Sequence, residues 1–144
     1  MPTLPPLMEL APGVTAAGGL TRDNIEALAD AGTKVIVNNR PDGEDPGQFD
    51  SAEARKLCEA RGIAYFHIPF VAATLTKAQV DEFAKVLKDA GGPLVAHCRS
   101  GTRSTLLWAL TRLRDGADPL MLVAEAARHG IDIGALPAVA ARLR

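Results

Sequence analysis

Cys98 closes an apolar run, Leu94 to His97 (LVAH), and Arg103 follows it after four residues, Arg99, Ser100, Gly101 and Thr102. Behind them the pattern becomes that of an amphipathic helix, from about Thr102 to Asp115, with Leu106, Leu110 and Leu113 on its inner face. A strand, a short glycine-containing loop and a helix N-terminus in that order make an anion cradle. Successive loop N–H groups can point inward, and the helix dipole adds positive potential. Arg103, in the first helical turn, can hold an anion by two parallel hydrogen bonds, and Arg99 adds charge at the mouth.

The first anion to benefit is the Cys98 sulfur itself. A free thiol with a pKa of ~8.5 is a few per cent thiolate at neutral pH, but helix N-termini and cations lower that value to roughly 3.5–7.5. A fall of about three units corresponds to about 4 kcal/mol of thiolate stabilisation. The result is a charged nucleophile beneath an oxyanion cradle, with Ser104 expected to donate a hydrogen bond to the sulfur when it leaves. A buried structural cysteine beside unrelated surface arginines is the rival reading. The combination of strand, Cys, glycine loop, Arg and helix argues against it.

Several elements must position this loop. Val14 to Ala17 is a weak strand candidate. Thr21 caps a helix running to about Ala31, with Ile25 and Leu28 inward and Gly32 as its stop. Lys34 to Asn38 (KVIVN) reads as a buried strand, followed by a polar loop from Asn39 to Gln48. Asp50 and Glu53 have capping-box spacing for a helix that Gly62 ends, and Ile63 to Ile68 is the next strand. Thr76 and Gln79 form a second such pair before the stripe Val80, Phe83, Ala84, Leu87. Asp118-Pro119 starts a helix that ends near Gly130, and a last short one carries Leu136, Val139, Ala140 and Leu143. Strands alternating with helices predict a single α/β domain over 1–144, with a mostly parallel central sheet flanked by helices. The opening 1–12, with four prolines, is expected to be extended and to lie across the domain or fray. Ligands of such sheets bind beyond the carboxyl ends of the strands, where the Asn39–Gln48 and Cys98–Gly101 loops fall.

Composition narrows the partners. With 16 Lys+Arg against 17 Asp+Glu, net charge gives no case for nucleic acid or an anionic membrane. No apolar run approaches the roughly 20 residues of a membrane span, and the N-terminus lacks signal-peptide features. Cys58 and Cys98 make no disulfide framework, so a reducing, cytoplasmic setting is expected. No metal-ligand spacing accompanies His97 and Cys98, and no cofactor is expected. His97, pointing opposite to Cys98, is expected to hydrogen-bond backbone near the loop. His67 and His129 read as structural, Cys58 and Trp108 as core packing, and Asp81 and Glu82 as solvated. Arg40 and Asp42 lie in turn chemistry (RPDG) that can serve either structure or substrate.

His97-Cys98 through Arg103-Ser104 (HCRSGTRS) resembles the phosphate-binding loop of cysteine-dependent protein tyrosine and dual-specificity phosphatases. Together with VIVNNRPDGE and AYFHIPF, the chain from about Leu10 to Ala117 is more similar still to the phosphatase-like domain of bacterial beta-lactamase-hydrolase-like proteins, a family classed with phosphatases or sulfur transferases. That resemblance implies a dual-specificity-phosphatase-like fold. It also implies a hydrolase acting on a phosphate ester through a covalent intermediate on Cys98. Arg99, Ser100, Gly101, Thr102 and Arg103 would bind the anion, and the substrate would be a small anionic molecule or a phosphoprotein.

Two features depart from the phosphatase pattern. Four residues, not five, separate Cys98 from Arg103, the count of rhodanese-type sulfurtransferases; a smaller cradle suits persulfide chemistry on Cys98. The loop Pro69 to Thr74 also lacks the aspartate that protonates the leaving oxygen. Asp42 is the best substitute and Glu44 the second, because RPDGE follows a parallel strand on the same edge. A sulfurtransferase is therefore the alternative activity, and a catalytically weak anion-binding module a further one.

Overall fold

The computed structural model describes residues 2–144; Met1, the first residue of the segment expected to be extended, lies outside the described residues. The strands are β1 (Met8–Ala11), β2 (Val14–Ala17), β3 (Val35–Asn38), β4 (Ala64–His67) and β5 (Leu94–His97). The helices are α1 (Arg22–Asp30), α2 (Ser51–Ala60), α3 (Lys77–Asp89), α4 (Thr102–Arg114), α5 (Pro119–Arg128) and α6 (Leu136–Arg142). One five-stranded sheet has the order β1-β2-β5-β3-β4, parallel except for β1. The expected single α/β domain with a mostly parallel sheet is the one observed.

Side-chain alternation along the strands divides the core in two. Val35, Val37, Leu94 and Ala96 pack against α3, α4, α5 and α6 through residues such as Phe83, Leu107, Leu110 and Leu136. Ile36, Tyr65 and Val95 face the other way, toward Ile25 and Leu28 of α1 and Ala54 and Cys58 of α2. Cys58 and Trp108 are core residues, as read from the sequence. No helix among the described residues is long and apolar enough to cross a membrane.

Two local expectations need correction. The opening segment is extended, as expected, but its end does not fray: Met8–Ala11 is an edge strand, antiparallel to β2 with Met8 opposite Ala16 and Glu9 opposite Thr15. The Pro12-Gly13 turn makes this hairpin, with Gly13 at φ +78°. The Asp50–Glu53 capping box does not form, since the Asp50 side chain makes no cap hydrogen bond. Thr21 and Thr76 do cap α1 and α3, each by a reciprocal box, with Asn24 and Gln79.

The sheet register positions the site. Ala17, His97 and Asn38 stand side by side on β2, β5 and β3, and Asn38 stands beside His67 on β4. The four parallel strands therefore end at one level, with the Cys98 loop between the ends of β2 and β3. Short main-chain bonds continue past the sheet, from Asn39 N–H to His97 O (2.7 Å) and Ile68 N–H to Asn38 O (2.9 Å).

Candidate active site

Cys98 is 1% exposed, at the floor of the loop that turns from β5 into α4. Gly101 adopts φ +93°, a left-handed conformation that suits glycine, and its N–H reaches Cys98 Sγ at 3.1 Å. Burial alone would push the thiol up. The main-chain N–H groups of Ser104, Ser100, Arg103 and Gly101 act together against that and hold it below the ordinary value. The sulfur is thus solvated by protein amides at a helix N-terminus and favours the thiolate.

The neighbouring strand end makes room for this turn. Gly19 N–H donates to Arg99 O (3.1 Å), and a Cβ on Gly18 would stand 3.0 Å from that same carbonyl. Two consecutive glycines after β2 thus let the backbones approach closely, a role that sequence reading missed.

Arg103 is held from two sides. Its Nη1 and Nη2 donate to Glu44 Oε2 (2.7 Å) and Oε1 (2.8 Å), and Nη1 also reaches Phe70 O (3.2 Å). Glu44 is the main reason that the guanidinium holds its proton more tightly than usual, and the nearby Cys98 sulfur adds to it. Glu44 in turn accepts from Arg40 Nε (3.0 Å). The hydrogen bond from Arg103 is the main reason that Glu44 is held down at about 2, with Arg40 adding to it. Asp45 completes the seam by pairing with Arg40 and with Arg99 Nε (3.1 Å). The Asn39–Gln48 loop is therefore clamped onto the Cys98 loop by interleaved arginines and carboxylates.

Three of the expected roles change. Asp42, read as the substitute acid, is a helix cap: its carboxylate accepts from Ser51 N–H (2.9 Å) and Ser51 Oγ (2.5 Å) at the start of α2. Burial opposes ionisation there, but the Ser51 hydrogen bonds outweigh it and Asp42 lies below its ordinary value, the wrong direction for a proton donor. Glu44, the second choice, is an ionised partner of Arg103. The Ser104 hydroxyl does not point its proton at sulfur; it donates to Asn39 Oδ1 (2.8 Å). Ser104 serves the sulfur through its main-chain amide instead.

The remaining loop hydroxyls, Ser100 Oγ and Thr102 Oγ1, lie 3.1 Å apart at the outer side. Asn39, fully buried, spends its Nδ2 on Ile68 O (3.0 Å) and so joins β3, β4 and α4. Its signal was an asparagine pair directly closing an apolar strand. His97 meets the main chain at Cys98, as expected, but its Nδ1 has no hydrogen-bond partner; burial outweighs the main-chain contact and pushes it down to about 4, leaving it neutral. His67 Nε2 lies 3.0 Å from Arg40 O, a structural contact.

Comparison with known proteins agrees with this architecture. The sequence profile of the beta-lactamase hydrolase-like protein, phosphatase-like domain family matches residues 7–114. A beta-lactamase hydrolase-like protein of Agrobacterium fabrum is 37% identical over 103 residues, covering 72% of this chain and 24% of that protein. The chain thus spans about a quarter of that relative's length. Among solved structures, a candidate phosphatase from Neisseria meningitidis is 30% identical with a TM-score of 0.80, over 92% of this chain and 94% of that one. The core catalytic domain of the PP-IP phosphatase Siw14 from S. cerevisiae shares the fold, with a TM-score of 0.68 at 16% identity over 88% of this chain and 76% of that one.

Proposed function

The chain belongs to the family of phosphatase-like domains of beta-lactamase hydrolase-like proteins, and from that membership we propose that it is a phosphohydrolase with Cys98 as nucleophile. The Cys98 thiolate attacks phosphorus, Arg103 and the loop N–H groups bind the phosphoryl oxygens, and a phosphocysteine forms and is then hydrolysed. Arg99, Ser100, Gly101 and Thr102 complete the cradle. The substrate is a small anionic molecule or a phosphoprotein. One observation carries this reading: a buried sulfur that accepts the Gly101 main-chain N–H at a helix N-terminus, with further loop amides and the Arg103 guanidinium near enough to stabilise its charge.

A second reading, sulfur transfer through a persulfide on Cys98, is favoured by two facts. The loop has only four residues between Cys98 and Arg103. The sulfur is also almost fully covered, so a single transferred atom needs less room than a tetrahedral phosphoryl group. The experiment is turnover of an aryl phosphate, and of thiosulfate plus cyanide, by wild type and Cys98→Ser. Phosphate release abolished by the substitution supports the first reading. Thiocyanate formation, with one added sulfur on Cys98 in the intact mass, supports the second. Neither product, with phosphate still bound, leaves an anion-binding module.

A further inference from the structure

We propose that the site turns over only phosphoryl groups carried on a leaving group that departs as a stable anion, such as an activated aryl phosphate or a diphosphate, and not alkyl phosphate esters. This inference rests on the phosphohydrolase reading above. The three carboxylates of the loop facing Cys98 are already engaged: Asp42 on Ser51, Glu44 on Arg103 and Arg40, and Asp45 on Arg40 and Arg99. Each is an acceptor in that geometry, and a carboxylate bound to guanidinium groups has no proton to give. The turn after β4, Phe70 to Thr74, carries only Phe, Val, Ala and Thr. His67 is spent on Arg40 O, and His97 is 6% exposed, buried at the end of β5.

The chemistry then follows without a donor. The Cys98 sulfur forms a bond to phosphorus while the bond from phosphorus to the leaving oxygen breaks, and the electron pair stays on that oxygen. The oxygen leaves as an anion and takes its proton later from water. In the second step water attacks phosphorus, the phosphorus–sulfur bond breaks to regenerate thiolate, and the water's proton passes to solvent. An alkoxide is too basic to leave this way; a phenolate or a phosphate is not. The exposed Arg99 at the loop mouth favours an anionic departing group in either case.

The test is kcat/KM of the wild-type chain for aryl phosphates graded in the acidity of the leaving phenol, together with inorganic pyrophosphate and glycerol phosphate. A positioned general acid contributes typically 10²–10⁴-fold, so its absence should spread the aryl series by at least about 100-fold and leave glycerol phosphate without measurable turnover. Turnover of pyrophosphate places the source among diphosphates; turnover of acidic aryl phosphates alone places it among aryl esters. A flat series, or glycerol phosphate turned over like the aryl compounds, overturns the inference. So does a shallow series that Asp50→Asn makes steep, because Asp50, exposed at the start of α2, would then be an acid. If Cys98→Ser leaves phosphate release from every compound unchanged, it is the phosphohydrolase reading that has failed instead.

Discussion

Replacing Glu44 by Gln should lower kcat/KM on an aryl phosphate by about 10–150-fold, because Glu44 anchors the anion-binding arginine. Arg103 and Glu44 side chains are only 16% and 22% exposed, so their two hydrogen bonds are poorly replaced by water. Gln keeps one acceptor oxygen for three donors, Arg103 Nη1, Arg103 Nη2 and Arg40 Nε, and sets an NH₂ group against the rest. Losing one charge-assisted bond costs about 1.5–3 kcal/mol. At about 1.4 kcal/mol per factor of ten, that is the stated range if the loss falls on Arg103 placement.

The assay pairs steady-state kinetics with the pH dependence of Cys98 alkylation. Gln removes a negative charge near the sulfur, so the thiol should titrate no higher than in wild type while activity falls. A merely unfolded variant would instead lose the low thiol value as well. The opposite result refutes the argument: tighter inhibition by inorganic phosphate together with faster turnover would mean that Glu44 occupies the substrate's place and masks Arg103.

Three further outcomes test the surrounding structure. Asn39→Ala leaves the buried Ser104 hydroxyl and Ile68 carbonyl without partners, at about 1–3 kcal/mol each, so urea denaturation should show a loss of at least about 2 kcal/mol. A loss below about 0.5 kcal/mol would show that these groups find other partners. Burial pushes the Cys58 thiol up to about 12, whereas Cys98 lies below its ordinary value. Iodoacetamide at pH 6.5 should therefore give one adduct by intact mass, absent in Cys98→Ser; two adducts, or none in wild type, contradict this. His97, about 4 when folded against an ordinary 6.5, contributes stability that is complete above pH 6.5 and is lost as pH falls through about 4. That is about 3 kcal/mol between pH 7 and 4, in which wild type should exceed His97→Gln. Equal losses in the two proteins would place the acid sensitivity elsewhere, for example at Glu44, whose own contribution falls only as pH drops from 4.5 through about 2.

Local patterns made the parallel sheet legible. Lys34 to Asn38 is a β-branched apolar run between helix caps, and such runs lie where both faces of a sheet are covered. The cradle was legible for the same reason, since Cys98 to Ser104 is contiguous and its amides need only the strand and helix on either side. The edge strand β1 was not. Met8-Glu9-Leu10-Ala11 has no β-branched residue and sits among prolines, and its order comes from pairing with β2 across Pro12-Gly13. Asp50 failed as a cap because Asp42, nine residues before Ser51, already holds the first turn of α2.

The partners of Cys98 illustrate where one-dimensional reading stops. Glu44 and Arg103 lie 59 positions apart, and they meet because β5 inserts between β2 and β3, a strand order that no local periodicity encodes. Taken alone, a glutamate in a polar loop at the carboxyl edge of a sheet is a fair candidate acid. Placed beside two guanidinium groups, the same carboxylate is ionised across the working pH range and can only accept. Its meaning for catalysis reverses with its neighbours. The proton economy of the site is therefore set by the loop-to-loop seam of Arg40, Glu44 and Arg103, while the seven residues from Cys98 to Ser104 set the nucleophile.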